Sequence, residues 1–128
     1  MFPAFLIKKV IFLTYTSIMF YSKYRNVKTT VFGKTFSSKH EAKRYMELKI
    51  LLDAGEIFDL RMQVSYELIP SFKLDGETYR GIKYVADFVY KDKDGNEVVE
   101  DAKGMRTEVY KLKRKLMAYV HKIKIKEV

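Results

Sequence analysis

Residues 85–104 read Val85-Ala86-Asp87-Phe88-Val89-Tyr90-Lys91-Asp92-Lys93-Asp94-Gly95-Asn96-Glu97-Val98-Val99-Glu100-Asp101-Ala102-Lys103-Gly104. Two apolar, β-rich runs flank a polar loop that carries a glycine, the composition of a β-hairpin. Its register decides what the segment can do. A two-residue Asp94-Gly95 turn pairs positions whose numbers sum to 189 and sets Asp87 opposite Ala102, with its carboxylate on the wrong face. A three-residue loop, Lys93-Asp94-Gly95 with Gly95 in the left-handed position such a loop requires, pairs positions summing to 188 and sets Asp87 opposite Asp101. The glycine at the third loop position selects the second register. Side chains two apart on a strand share a face, so Asp101 and Lys103 point together while Glu100 points away with Val98 and Ala102.

Working outward, the first strand of this hairpin starts near Tyr79, after an Asp75-Gly76 turn. Before that turn Leu60, Met62, Val64, Tyr66 and Leu68 alternate with polar residues up to Pro70, a half-buried strand. Further back, Ser38 and Glu41 have the spacing of a capping box, Ala42, Tyr45, Leu48, Leu51 and Leu52 recur on one face, and Gly55 supplies a stop. This predicts a helix from about Ser38 to Ala54. Beyond the hairpin Thr107 can cap a second helix with an apolar face of Val109, Leu112, Leu116 and Tyr119 or Val120. Ile123 and Ile125, alternating with lysines, predict a last short strand. The order is helix, three-stranded meander, helix, strand. It belongs to the α/β class, with one mixed sheet flanked by helices.

The chain has 128 residues, enough for one domain and one core, and 48% of them are apolar, which excludes a disordered chain. Cys is absent and His occurs only as His40 and His121, so disulfides, thiolate zinc sites, cysteine nucleophiles and multi-histidine metal centres are all excluded. A metal would be held by carboxylates, which favours magnesium, with manganese as its substitute. Residues 1–22 contain no acid and only Lys8 and Lys9 as charges. The run from Val10 to Tyr21 is too short to span a bilayer and lacks a signal-peptide cleavage pattern. Extending it across the lysines places two charges in lipid at about 3 kcal/mol each. The readings are translation from Met19, which we prefer, a membrane-associated leader, or a packed extra helix. In each case 23–128 forms the functional domain.

The net charge of +9 is concentrated. From Lys103 to Lys126 nine basic residues stand against Glu108 alone, while the remaining chain holds 16 basic and 15 acidic residues. A basic segment of this kind either meets a polyanion or is a solvated lysine-rich surface.

Opposed residues on paired strands have Cβ atoms ~5 Å apart, so Asp87 and Asp101 repel unless a cation lies between them. A magnesium ion relieves the repulsion, and Lys103 beside it can help deprotonate a water or neutralise charge on a phosphate. A surface ion-pair cluster has the same spacing. The arrangement of Glu41 on a helix, Asp87 on an apolar strand and Asp101-Ala102-Lys103 after a short hairpin resembles the PD-(D/E)XK nuclease superfamily. More closely, Ser37-Ser38-Lys39-His40-Glu41-Ala42, the strand from Gln63 to Pro70, Ala86-Asp87-Phe88 and Val99-Glu100-Asp101-Ala102-Lys103-Gly104, followed by Thr107 and Tyr110, are similar to a family of small phage proteins. That family is grouped with RecU-like and phage endonuclease I-type Holliday-junction resolvases. The likeness covers roughly Ser22 to Val128. One departure is Ala86, where the superfamily name has proline.

The resemblance implies a restriction-endonuclease-like core with catalytic roles on Glu41, Asp87, Asp101 and Lys103. It also implies a metal held by Glu41, Asp87, Asp101 and the Ala102 carbonyl. Glu41 equally fits its part in the capping box. Arg106, Lys111, Lys113, Arg114 and Lys115 would then follow the catalytic strand onto the phosphate backbone, or form a solvated face. The function expected is a magnesium-dependent endonuclease acting on branched DNA, a homodimer where a junction is cut symmetrically, working in the cytoplasm of a bacterial host. The alternative is a non-catalytic nucleic-acid-binding phage accessory protein.

Overall fold

A computed structural model describes residues 28–128, and the leader expected over 1–22 lies outside them. The chain forms two compact units, one of residues up to Leu60 with Tyr90–Asn96, the other of Arg61–Val89 with Glu97–Val128. Among the described residues no helix is long and apolar enough to cross a membrane.

In the first unit a small hairpin pairs β1 (Thr29–Val31) with β2 (Lys34–Phe36), Thr29 opposite Phe36. Its two turn residues, Phe32 and Gly33, both have positive φ (49° and 77°), as a two-residue turn of this hand demands. No sequence expectation covered this hairpin, because Phe is an unusual first residue for such a turn. Helix α1 (Lys39–Asp53) follows, capped by Ser38, whose side chain accepts the Glu41 N–H at 3.1 Å. Its extent matches the prediction. It buries Ala42, Tyr45, Met46 and Leu48, while Leu51 and Leu52 are only half-buried. Tyr45 meets Phe36 with ring centroids 4.9 Å apart. Burial of each large side chain here contributes about 2 kcal/mol.

The second unit holds most of a four-stranded sheet in the order β3 (Phe58–Ile69), β6 (Ile82–Lys91), β7 (Glu97–Asp101), β8 (Lys126–Glu127). Among the described residues the fold is thus mixed α/β with a mixed sheet and two main helices, since β8 joins β7 in parallel, Glu100 opposite Lys126 and Asp101 opposite Glu127. The stretch expected as one strand from Tyr79 is divided. Phe72–Leu74 (β4) and Glu77–Tyr79 (β5) form a hairpin around Asp75-Gly76 before β6 begins. Gly81 explains the break: a Cβ there would lie 2.8 Å from the Ile69 carbonyl oxygen, so only glycine permits the two backbone segments to pass.

Helix α2 (Glu108–Leu116) is capped by the Thr107 hydroxyl and runs into a π-helical turn, Met117–His121. The apolar face expected for it is corrected. Tyr110 and Met117 are buried with Leu68, Tyr84, Ala86, Val89, Val99 and Ile125, and Leu116 packs against them, but Val109 and Leu112 are 63% and 52% exposed. Tyr119 and Val120 are exposed too. The reason lies in Tyr110 and Arg114, which both bond Glu127 of β8 and so fix which side of α2 faces the sheet.

Candidate active site and nucleic-acid interface

The β6–β7 loop closes as its glycine predicted. The Asp92 N–H donates to the Asn96 carbonyl at 3.0 Å, the Gly95 N–H donates to the Asp92 carbonyl at 3.0 Å, and Gly95 has φ 82°. Asp92 Oδ1 also accepts the Asp94 and Asn96 N–H groups, at 2.9 Å each, so the loop is held from within. Positions 92 and 96 belong to the register in which numbers sum to 188. Further along, the Asp87 and Asp101 carboxyls are within hydrogen-bonding reach of each other, and Asp87 Oδ2 accepts the Ala102 N–H at 2.9 Å. Asp87 Oδ1 accepts Gln63 Nε2 at 3.3 Å. Gln63 has φ 53°, a left-handed residue inside β3 that departs from the regular strand beside the carboxylates.

Asp101 is 2% exposed. Lys103 Nζ lies 2.9 Å from its Oδ2, close enough for an ion pair but off the direction a hydrogen bond needs, so this buried oxygen has no hydrogen-bond donor. Burial, followed by the shared hydrogen bond with Asp87, pushes the Asp101 carboxyl up to about 7, and Lys103 opposes the rise only in part. The Tyr84 hydroxyl is a second buried group lacking a hydrogen-bond partner, and burial together with the Asp101 charge raises it well above the ordinary phenol range. In a regular strand Tyr84, three residues before Asp87, would face the other way. It is buried in one core cluster with Val89 and Val99. Lys103 is also fixed from below, with Nζ 4.5 Å from the Tyr110 ring centroid.

These groups suit a hard divalent cation. Among the described residues no group of three or more His, Asp or Glu side chains is gathered for a metal. Magnesium, however, is commonly held by one or two carboxylates plus waters and substrate phosphate. A pair of abutting carboxyls, one with a buried oxygen lacking a donor, is what a cation would complete. Glu41 belongs to the first unit. It is 7% exposed, and its Oε2 accepts the Ser37 hydroxyl at 2.9 Å while its N–H is capped by Ser38.

Of the expected nucleic-acid contacts, Arg106, Lys111, Arg114 and Lys115 line one groove of about 1020 Å³, joined by Lys124. Lys113 is half-buried and does not line it. The acids of the groove are Glu108, paired with Lys111 at 3.0 Å, and Glu127. Glu127 receives Arg106 Nε at 2.6 Å, Arg114 Nη1 at 2.6 Å and the Tyr110 hydroxyl at 3.1 Å. Burial alone would raise its carboxyl, but Arg114, Tyr110 and Arg106 together hold it below the usual carboxylate value. Sequence reasoning missed Tyr84, Tyr110 and Glu127. The first was hidden by strand alternation, the second was noted only within the resemblance, and the third lies one residue past the basic run.

Across residues 21–127 the sequence matches the model of a family described as "Protein of unknown function (DUF1064)". No curated protein and no solved structure gives a significant match. With most of its length covered by that match, the chain belongs to the DUF1064 family.

Proposed function

We infer that the protein is a metal-dependent DNA endonuclease of the PD-(D/E)XK type, acting on branched DNA in the cytoplasm of a bacterial host. The observation that carries this reading is Asp101, a nearly fully buried carboxyl raised to about 7 beside Asp87, with Lys103 at 2.9 Å. A buried carboxyl set against a second acid costs stability, as its raised protonation range shows, in a protein that only needs to fold, so its presence at the end of a hairpin is better explained by chemistry. The sheet order, with β8 parallel to β7, is compatible with a restriction-endonuclease-like core.

Asp87, Asp101 and the Ala102 carbonyl would hold magnesium or manganese, which when bound supplies a water of lowered pKa and neutralises charge on the phosphate. Lys103 orients the attacking water and stabilises charge developing on the phosphate oxygens, a role helped by its restraint over Tyr110. The Ala102 N–H holds Asp87 in place. Arg106, Lys111, Arg114 and Lys115 bind the backbone. Symmetric cutting of a four-way junction requires two related sites, hence a dimer. The reading draws on the second unit alone.

The test is a cleavage panel of four-way junction, flap, nicked and linear duplex DNA in magnesium, manganese and EDTA. The expected result is cutting in either metal, strongest on branched DNA, and none in EDTA. Salt-sensitive binding without cleavage of any substrate would instead establish the non-catalytic accessory role.

A further inference from the structure

Glu127 is the one acid among residues 103–128 besides Glu108, and it gathers positive charge rather than diluting it at random. It lies opposite Asp101 in the parallel β7–β8 ladder, so the two acids stand side by side on one face of the sheet. Its two oxygens take different arginines, Oε2 Arg106 and Oε1 Arg114. Arg106 comes from the loop after β7 and Arg114 from α2, so their guanidinium groups meet at this carboxylate. The Glu127 side chain is 16% exposed, whereas those of Arg106 and Arg114 are 58% and 41% exposed. The carboxylate therefore sits behind and the guanidinium groups in front. Each guanidinium has five N–H donors in a rigid fork, so those not turned to Glu127 remain available on the groove side.

We propose that Glu127 is a positioning residue that fixes Arg106 and Arg114 as a paired clamp for phosphates of the DNA backbone in the groove lined by α2 and β8. The inference rests on the DNA-binding part of the function proposed above, and it assigns to that groove one strand of the DNA that is cut beside Asp101. Two guanidinium groups brought together repel, and a long, flexible arginine loses freedom when it binds. Glu127 removes both costs in advance.

Charge alone and positioning predict opposite signs for Glu127→Gln. Removing an acid from a basic groove should tighten DNA binding and steepen its salt dependence. Releasing the two arginines should weaken binding roughly tenfold, because both must then be ordered by the ligand. The experiment is fluorescence anisotropy of the full chain with a labelled four-way junction in EDTA across a salt series. It compares wild type, E127Q, the double variant R106Q/R114Q, and the triple combination. The clamp predicts weaker binding by E127Q and no further loss when E127Q is added to R106Q/R114Q. Tighter binding by E127Q overturns it. An equal loss in both backgrounds, with a lowered melting temperature, also overturns it, since that is the behaviour of a strand contact needed only for folding. Binding that follows the predicted pattern in a protein that cuts no DNA sustains the clamp and removes the catalytic reading. A wild type that binds no DNA removes both.

Discussion

Asp101 is an acid placed where an acid is costly. It is 2% exposed, it abuts Asp87, and one of its oxygens has only an off-axis ion pair with Lys103. A carboxyl raised from 3.8 to about 7 binds more protons in the folded chain than in the unfolded one between those values. Its contribution to stability is present at the acid end and is lost as pH rises through about 7. Glu127, held below its ordinary value, acts in the opposite sense, but only as pH falls below the usual carboxylate range. Thermal melts in EDTA from about pH 5 to pH 8 should therefore show a falling midpoint, and magnesium should raise the midpoint more at pH 8 than at pH 6. A midpoint that climbs across this range would contradict the raised carboxyl of Asp101. The grouping of these residues was legible in part. The grouping of Asp87, Asp101 and Lys103 follows from strand alternation and one glycine, whereas Tyr84, which alternation alone would set on the other face, comes close to Asp101 through packing that no local pattern announces.

At the scale of elements, local rules worked where one residue has few alternatives. Ser38 had to cap α1, and Gly95 at φ 82° had to close the three-residue loop that brings the carboxylates together. Gly95→Ala should cost about 1 kcal/mol in denaturant unfolding, because a Cβ is strained in that conformation. It should lower cleavage by about tenfold or more, since small misplacements at a reacting site are amplified. A variant that unfolds more easily yet cuts at the wild-type rate would separate the loop from the chemistry. Helix α2 was misread for an opposite reason. Its hydrophobic stripe of Val109 and Leu112 obeys helical periodicity, but the face toward the sheet is set by Tyr110 and Arg114 bonding Glu127, a contact between residues 13 and 17 apart in sequence. Periodicity reports which side chains dislike water. It does not report which polar groups demand a partner.

Across the whole chain the +9 charge is unevenly placed, with carboxylates at the β6–β7 hairpin and most of the excess cations on the segment that follows it. Lys111 and Lys115 line the groove and Lys113 does not. Each of Lys111→Ala and Lys115→Ala should reduce the slope of log affinity against log salt by about 1, as expected for one phosphate contact each, and Lys113→Ala should change it less. Equal slopes for all three would mean that the cations act as a diffuse field. The central claim, that Asp101 is there for metal-dependent cleavage, meets its most direct measurement in wild type and Asp101→Asn compared on a labelled four-way junction in magnesium, with binding followed in parallel. The account predicts cutting by the wild type, a loss of at least ~10³-fold in the variant, and unchanged junction affinity. Cutting by the variant at the wild-type rate, or none by either protein in magnesium or manganese, would contradict it.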